Sequence, residues 1–583
     1  MKRRNAFRSV ATLVVALLAA FTYPGEVLVS MLIRLTPPPT VSALAPEGAL
    51  PWLHVEHPQG GPPFIADDQR RMVLLHGAIP GGLIDFWNNG NPSQSDPPPY
   101  FSIDPSAYNG QCPANSGYMP VPPLCQEDIA GMAALGFNSM RLPLSWSLLE
   151  PERGRFNQQY LDRVAQVVDW ARALGIYVII DMHQNAYSRY VGRPSTPALP
   201  GGEVPNLRFN TGAPAWATMT DGFPSTTYLG QREVNPAVLE ANSNFWYDRG
   251  GIQDEYIAAV AFVAKRFKDD STVAGYSLFN EPLLGWNLPP GFEDLLLFPF
   301  YRRVIDAITG VRDGLPCWTG FYMPAICGYR DLGVRDQRHL VFLDTGLLRH
   351  VTDFPTHLGL PVSSYPNVVL SLHAYTHVFS LDHLLKLDPK SYPWGGYDQT
   401  YALAEREAKA VNAALFVGEF GDFPSDDPQI LTNELLEQEQ HLVGFAFWTW
   451  AENCGGNSTW GVYDGIDCNQ GVRATNIQHG CLRIGRERLL ARVYPRASAD
   501  RTLSYHYDST TGAFSLEAHG KSGDAPTIVY VPREATGEVS TTGAATESES
   551  TDAGGGRIVT VSPTGGTFSV SVSAAPLAPA GCA

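Results

Sequence analysis

The chain has 583 residues, 44% of them hydrophobic and 17% charged, enough apolar content for a large domain with a full core beside a smaller one, and too much for a disordered chain. Its 58 acidic residues against 41 basic ones give a formal net charge of -17, which argues against nucleic acid or an anionic membrane as the main partner and in favour of a neutral ligand. Aromatic residues make up 11% of the chain, including 12 Trp, which would suit stacking on sugar rings as well as filling a core.

The N-terminus begins with the basic Met1-Lys2-Arg3-Arg4 and turns apolar from Val10 to Phe21, the shape of a secretory signal. A second apolar run, Val27 to Leu35, follows the Pro24-Gly25 break, so residues 1–45 read as a signal peptide or an uncleaved anchor. Eight cysteines, at 112, 125, 317, 327, 454, 468, 481 and 582, favour disulfides over metal thiolates in an exported chain, and none of them forms a CxxC pair. Neighbouring positions suggest bridges 112–125, 317–327 and 454–468, with 481 and 582 tying the tail to the body; this is one of many possible connectivities.

From residue 70 to about 450, short β-branched runs alternate with amphipathic segments. The strand candidates are Met72–Leu75, Asn138–Leu142, Tyr177–Asp181, Ala274–Asn280, Leu340–Leu343, Val368–Leu372, Leu415–Glu419 and Val443–Trp448. Leu161, Val164, Val168 and Ala171 fall on one helical face, as do Ile257, Val260, Val263 and Phe267. Eight such strands predict an α/β fold, a (β/α)8 TIM barrel over residues 46–489. An open doubly wound sheet is the alternative, but no GxGxxG follows the first strand. After Tyr494-Pro495 the pattern alternates, as in Thr527-Ile528-Val529-Tyr530-Val531, which predicts a small C-terminal antiparallel β-sandwich domain over 490–583. The Gly/Ser/Thr-rich stretch 539–556 reads as a flexible loop within it.

Polar residues recur where the predicted strands stop: Arg141, Asp181 to Gln184, Asn280-Glu281, His373 to Tyr375, Glu419 and Trp448. On a barrel those ends share one mouth. A carboxylate there is costly unless it is used, and Glu281 and Glu419 form the pair that glycosidic bond cleavage needs, one as proton donor and one as nucleophile. Each residue also has a plainer reading. A strand-end glutamate can cap the next helix, Arg141 can be an ion-paired core residue, His183 and His373 can be satisfied core histidines, and Trp448 can plug the barrel. Asp181 and His183 could instead ligate a metal, but no HExxH or closely spaced ligand set accompanies them, so neither metal nor organic cofactor is expected.

The ordered set "DMHQ" (181–184), "SLFNEP" (277–282), "HAY" (373–375), "FVGEFG" (416–421) and "FWTW" (447–450) resembles glycoside hydrolase family 5, the retaining barrel hydrolases of the cellulase superfamily. Within it, "DMHQNAYSRY" (181–190), "GAPAWATMTDG" (212–222) and "RVYPRASAD" (492–500) are similar to endoglycoceramidases and related glycolipid hydrolases. The resemblance implies Glu281 as acid/base and Glu419 as nucleophile. It further implies Asn280 on the sugar 2-hydroxyl, His373 and Tyr375 tuning the glutamates, Arg141 supporting the nucleophile, His183 on the sugar and Trp448 beneath it. Two departures stand out. Asn185 replaces the Asp that tends to follow "DMHQ" in those hydrolases, and Ala78-Ile79-Pro80 follow His76-Gly77 where an Asn and a Lys are expected.

The implied activity is hydrolysis of the bond between sugar and ceramide, or a related lipid, by a monomeric, secreted or surface-anchored enzyme. Leu283 to Phe300, rich in Leu, Phe and Trp, would form an apolar lip for the lipid and a point of contact with a membrane surface; the alternative is that Leu295 to Phe298 begin a packed helix. A β-glucosidase or endoglucanase acting on steryl glucosides, simple glucosides or polysaccharide is the enzymatic alternative. A non-catalytic carbohydrate-binding protein is the alternative of another class.

Overall fold

The computed structural model describes residues 50–85, 103–108, 123–192, 198–205, 207, 209–228, 231–287, 291–312, 329–356, 362–379, 396–452, 459–462 and 483–575. Eight parallel strands close into a barrel: β4 (His76–Ala78), β5 (Ser139–Ser145), β6 (Tyr177–His183), β7 (Val273–Ser277), β8 (Leu340–Asp344), β9 (Val368–His373), β10 (Ala414–Phe420) and β11 (Phe445–Phe447), with β11 pairing back onto β4. Every residue of β5 through β9 is buried, as strands covered on both faces require.

Between strands, the predicted helices form where their caps and apolar stripes place them. The helix Gln158–Ala173 starts at Asn157, whose side chain accepts from the Tyr160 amide, and buries Leu161, Val164, Val168 and Ala171 against the barrel. The helix Pro236–Trp246 combines an Asn235 cap with proline in its first turn, and Ile252–Phe267 buries Ile257, Val260, Val263 and Phe267. No helix among the described residues is long and apolar enough to cross a membrane, and the Val10–Phe21 and Val27–Leu35 runs lie outside them.

A second, antiparallel sheet draws on both ends of the chain. Strands β1 (His54–Glu56), β2 (Phe64–Ala66) and β3 (Met72–Val73) join β12 (Tyr494–Ser498), β13 (Ser504–Tyr507), β14 (Phe514–Gly520), β15 (Thr527–Val531), β16 (Val539–Thr551) and β17 (Arg557–Val572). Three expectations change here. Met72 and Val73 do not open the barrel; they pair with Ser498 and Ala497 of β12, and the barrel begins three residues later at His76. Residues 54–73 therefore belong to the sheet of the C-terminal strands, joined to it through β3, although a division at 490 assigns them to the barrel. The stretch 539–556 is mostly strand, since β16 runs the length of β17 from Val539↔Val572 to Thr551↔Arg557, with Thr542 and Ser569 hydroxyls bonded across the ladder at 2.7 Å.

The two parts meet at the N-terminal ends of the barrel strands. The His76 ring, at the start of β4, is stacked between Tyr494 (3.8 Å) and Phe445 (4.3 Å), and the Tyr494 hydroxyl donates to the Gly136 carbonyl just before β5. Those contacts lie at the end opposite the C-terminal mouth, so they act on stability. Of the cysteines, Cys125 alone is among the described residues, so each of the expected pairings, 112–125 included, has at least one partner outside them.

Candidate active site

The strand ends converge as the sequence predicts. Arg141, on β5, is fully buried and organises the floor of the site. Its NH1 donates to Glu419 Oε1 at 2.5 Å. Its NH2 reaches Asp181 Oδ1 at 3.0 Å, Asn280 Oδ1 at 2.9 Å, Ser277 Oγ at 3.2 Å and Asp344 Oδ2 at 3.2 Å. One planar guanidinium thus ties β5, β6, β7, β8 and β10 together, with each buried carboxylate matched to a donor.

Glu419 is aimed by the local backbone. The β9–β10 ladder slips between Val417 and Glu419, a bulge that turns the side chain into the mouth. Gly418 sits in that slip because a Cβ there would meet Ser371 Oγ at 2.1 Å and the His373 ring at 3.1 Å. The second carboxylate oxygen, Oε2, accepts from the Tyr375 hydroxyl at 3.1 Å.

Glu281 lies four residues past β7, in a left-handed conformation (φ 41°) that a residue with a Cβ seldom adopts. Neighbouring groups hold it there. Its amide donates to Asp344 Oδ2 at 3.2 Å, and the Gln184 side-chain amide donates to the carbonyls of both Asn280 and Glu281 at 2.8 Å. Asn280 is anchored from both sides, by Arg141 on its oxygen and by donation of its own amide to the Gln184 carbonyl at 2.9 Å. The remaining amide hydrogen of Asn280 is available to a ligand.

The two glutamates meet at His373. Its Nδ1 lies 2.9 Å from Glu281 Oε1 and 3.6 Å from Glu419 Oε2, which caps the separation of those oxygens at about 6.5 Å, the lower limit for inverting glycosidases, as against about 5–5.5 Å for retaining ones. Its Nε2 lies 3.1 Å from Asp344 Oδ2. His183 is fixed by Asp181 Oδ2 at 2.8 Å and lies parallel to the half-buried Trp448 ring at 5.7 Å. Asn185 is half-buried and placed by backbone pairing with Thr211.

Sequence reasoning missed two side chains of this cluster. Asp344 ends β8 and binds Arg141, His373 and the Glu281 amide; it follows directly on the predicted strand Leu340–Leu343 and was open to the same strand-end reading. His350, at the end of the short helix Leu347–His350, is fully buried and stacks on His373 at 4.3 Å, with Nδ1 3.5 Å from Glu281 Oε1. No motif marks it.

Glu281, His350 and His373 are also the one group among the described residues whose atoms could converge on a cation. Both Nδ1 atoms face the same oxygen, Glu281 Oε1, His373 at 2.9 Å and His350 at 3.5 Å, and the charge of Glu419 and Asp344 keeps a proton on His373. The trio fits proton sharing better than metal binding.

These groups titrate as a set. Burial opposes the charge of Glu281, but the imidazoles of His350 and His373 beside it outweigh burial and hold the carboxyl well below its ordinary value. Burial pushes Glu419 up; His373 and Arg141 pull it down, and the Glu281 charge adds to the rise. Burial alone would lower His373, yet the charges of Glu419 and Asp344, with hydrogen bonds to Asp344 and Glu281, push it up to about 10. Burial and the neighbouring His373 charge push His350 down to about 4. At neutral pH, then, His373 is an imidazolium and His350 a neutral ring.

The apolar stretch after Glu281 divides. Leu296, Leu297 and Phe298 are buried at the start of the helix Phe298–Thr309 and its preceding turn, as a packed helix requires, whereas Trp286 is 52% exposed and leans on the exposed Phe223 at 5.6 Å.

A closed parallel barrel with two glutamates, Glu419 buried and Glu281 partly buried, at the C-terminal ends of its strands defines a TIM-barrel glycoside hydrolase. The chain belongs to glycosyl hydrolase family 5, the cellulase family, whose sequence pattern matches residues 111–453. It is 25% identical over 416 residues to endoglycoceramidase I of Rhodococcus hoagii, covering 70% of this chain and 72% of that one. It is 29% identical over 200 residues to the endoglycoceramidase of Cyanea nozakii, covering 32% and 40%. The crystal structure of an endogalactoceramidase superposes with a TM-score of 0.68 at 28% identity, over 90% of this chain and 100% of that one.

Proposed function

We propose that this protein is a retaining β-glycosidase that hydrolyses the glycosidic bond between sugar and ceramide, or a related lipid, in glycolipids. The observation that carries the reading is the pairing of Glu281 and Glu419 across one imidazole, in a family member similar to endoglycoceramidases over most of its length.

Glu419, charged and oriented by Arg141 and Tyr375, attacks the anomeric carbon and forms a glycosyl ester while the leaving oxygen takes the proton of Glu281. Water, deprotonated by Glu281 in its anionic form, then releases the sugar and frees Glu419. The free site favours the Glu281 anion. Entry of the sugar strips water from the cleft, and burial, already the largest influence on that carboxyl, then favours its protonated form. Neutralising Glu281 also removes one of the forces raising Glu419, so the two carboxyls reach opposite protonation states together. Asn280 offers its free amide hydrogen to the 2-hydroxyl, His183 contacts the sugar, Trp448 lies beneath it, and Asn185 lies beyond them on the sugar side.

On the lipid side, Trp286 and Phe223 form the exposed part of the lip and the point of contact with a membrane or micelle surface. The signal-like N-terminus and the even number of cysteines support export, with disulfides, as a secreted or surface-anchored monomer.

The test is product analysis with a ganglioside, lactosylceramide, glucosylceramide, a steryl glucoside and a cellulose oligomer. Intact oligosaccharide plus ceramide supports the reading. Cleavage of the steryl glucoside alone would contradict the ceramide assignment, and cleavage of the cellulose oligomer alone the lipid assignment; either leaves the two-glutamate chemistry standing.

A further inference from the structure

The two imidazoles beside Glu281 are not equivalent in their surroundings. His373 has work for both of its nitrogens, Nδ1 toward Glu281 and Nε2 toward Asp344. His350 has none of this. It is wholly buried, and among the described residues neither of its ring nitrogens has a hydrogen-bond partner, the nearest approach being Nδ1 to Glu281 Oε1 at 3.5 Å. A buried imidazole without partners is costly, and a phenylalanine could supply the same stacking on His373 without that cost. The polar ring therefore calls for a reason at this position, and among the described residues the acceptor its nitrogen approaches is the carboxylate oxygen of Glu281.

Both imidazoles approach the same oxygen. Nδ1 of His373 and Nδ1 of His350 converge on Oε1, while the Glu281 side chain remains 20% exposed toward the cleft. A carboxylate held through one oxygen cannot rotate freely, and it presents the other oxygen in a fixed direction. We propose that His350 is a positioning residue for the reaction: with His373 it clamps Glu281 Oε1, so that Oε2 carries the proton delivered to the leaving oxygen and later accepts one from water. No bond beyond those of the hydrolysis itself is made or broken, and His350 stays neutral throughout.

The charged and titratable neighbours fit a neutral, donating ring. His350 faces Glu281 beyond β7, the cationic His373 of β9 and the anionic Asp344 of β8, and its own helix carries Arg349, which is occupied by Glu407 at 2.9 Å and turned away. With a cation stacked 4.3 Å away, the ring resists a second positive charge and keeps a single proton. Placed on Nδ1, that proton points at Oε1. A contact of 3.5 Å is long for a hydrogen bond in the free site and would tighten once substrate closes it.

This inference rests on Glu281 being the acid/base, and the experiment separates the two claims. His350→Asn keeps an amide nitrogen where Nδ1 lies, whereas His350→Gln moves it to the place of Nε2, away from Oε1; both are polar and similar in size. On an alkyl glycoside, a poor leaving group, His350→Gln is expected to lose on the order of 10–100-fold in kcat/KM and His350→Asn less than about 5-fold. On a dinitrophenyl glycoside, whose departure needs no proton, both should stay within about 3-fold of the parent. Losing a donor to the carboxylate raises its pKa, so the alkaline limb of kcat/KM should move to higher pH in His350→Gln and return toward the parent in His350→Asn. Equal activity of the two variants on the alkyl glycoside, or equal losses on both substrates, overturns the role of His350. Glu281→Ala assayed with the same pair of substrates, with and without azide, tests the underlying assignment: a loss that ignores the leaving group and azide overturns that assignment itself.

Discussion

Replacing Arg141 with lysine tests the physical basis of the site more sharply than removing either glutamate. The guanidinium divides its work: NH1 serves Glu419, and NH2 serves Asp181, Asn280, Ser277 and Asp344. A lysine ammonium is a point donor on a flexible stem and cannot hold Glu419 and the Asp181–Asp344 side together. Asp181 and Asp344 have no side-chain exposure and Glu419 only 6%, so whichever group the lysine abandons is left buried and charged. Breaking a buried ion pair costs about 3–5 kcal/mol. If that cost falls on the placement of Glu419 in the transition state, kcat/KM drops by roughly 10²–10⁴-fold; if it falls on folding, the melting temperature falls by several degrees or more. The assay pairs steady-state kinetics on a nitrophenyl glycoside with thermal unfolding. A variant within about 3-fold of the parent in kcat/KM and unchanged in melting temperature would refute the claim that this network holds the nucleophile.

Three further outcomes follow from the geometry. Gly418→Ala should displace the His373 ring and lower kcat by at least about 10-fold at little cost in KM, because the new Cβ lies 3.1 Å from that ring and 2.1 Å from Ser371 Oγ; kinetics beside a near-ultraviolet circular dichroism spectrum would show it. Tyr375→Phe removes the donor to Glu419 Oε2 and should slow turnover by about 10-fold, read by pre-steady-state release of a phenol leaving group. The third is a stability effect at His339. Burial would lower its pKa, but Asp336 Oδ2 at 2.6 Å outweighs that and raises it. A raised folded value means stability that is fully present below about pH 6.5 and is lost as pH rises through that raised value. His339→Gln should therefore be less stable than the parent at acid pH and show a flatter melting temperature above neutrality.

The chemistry was more legible in the sequence than the architecture around it. Parallel barrel strands are nearly continuous apolar runs, so Arg141, Asp181, Asn280, Glu281, His373 and Glu419 stand out where such runs end, and the structure brings all six around one guanidinium and one imidazole. Asp344 obeyed the same rule and was overlooked. His350 obeyed none, because a histidine closing a four-residue helix carries no spacing signal; only the fold brings it against His373. At the start of the barrel the reading slipped because β4 is the three residues His76-Gly77-Ala78, with no β-branched side chain, beside a more strand-like Met72-Val73 that belongs to the other sheet. The composition of 539–556 suggested a flexible loop, yet Thr and Ser on β16, which pairs with β17 at the side of the larger sheet, pair well across strands, as Thr542 and Ser569 do.

The central claim is that Glu419 bonds covalently to the sugar while Glu281 handles the proton. It is tested most directly by incubating the Glu281→Gln variant with a dinitrophenyl glycoside, quenching early and mapping the digested protein by mass spectrometry. The account predicts one hexose, or the whole oligosaccharide, attached to the peptide containing Glu419, and none when Glu419→Gln is introduced as well. A sugar carried on any other residue, or free sugar first appearing with inverted anomeric configuration, would contradict it.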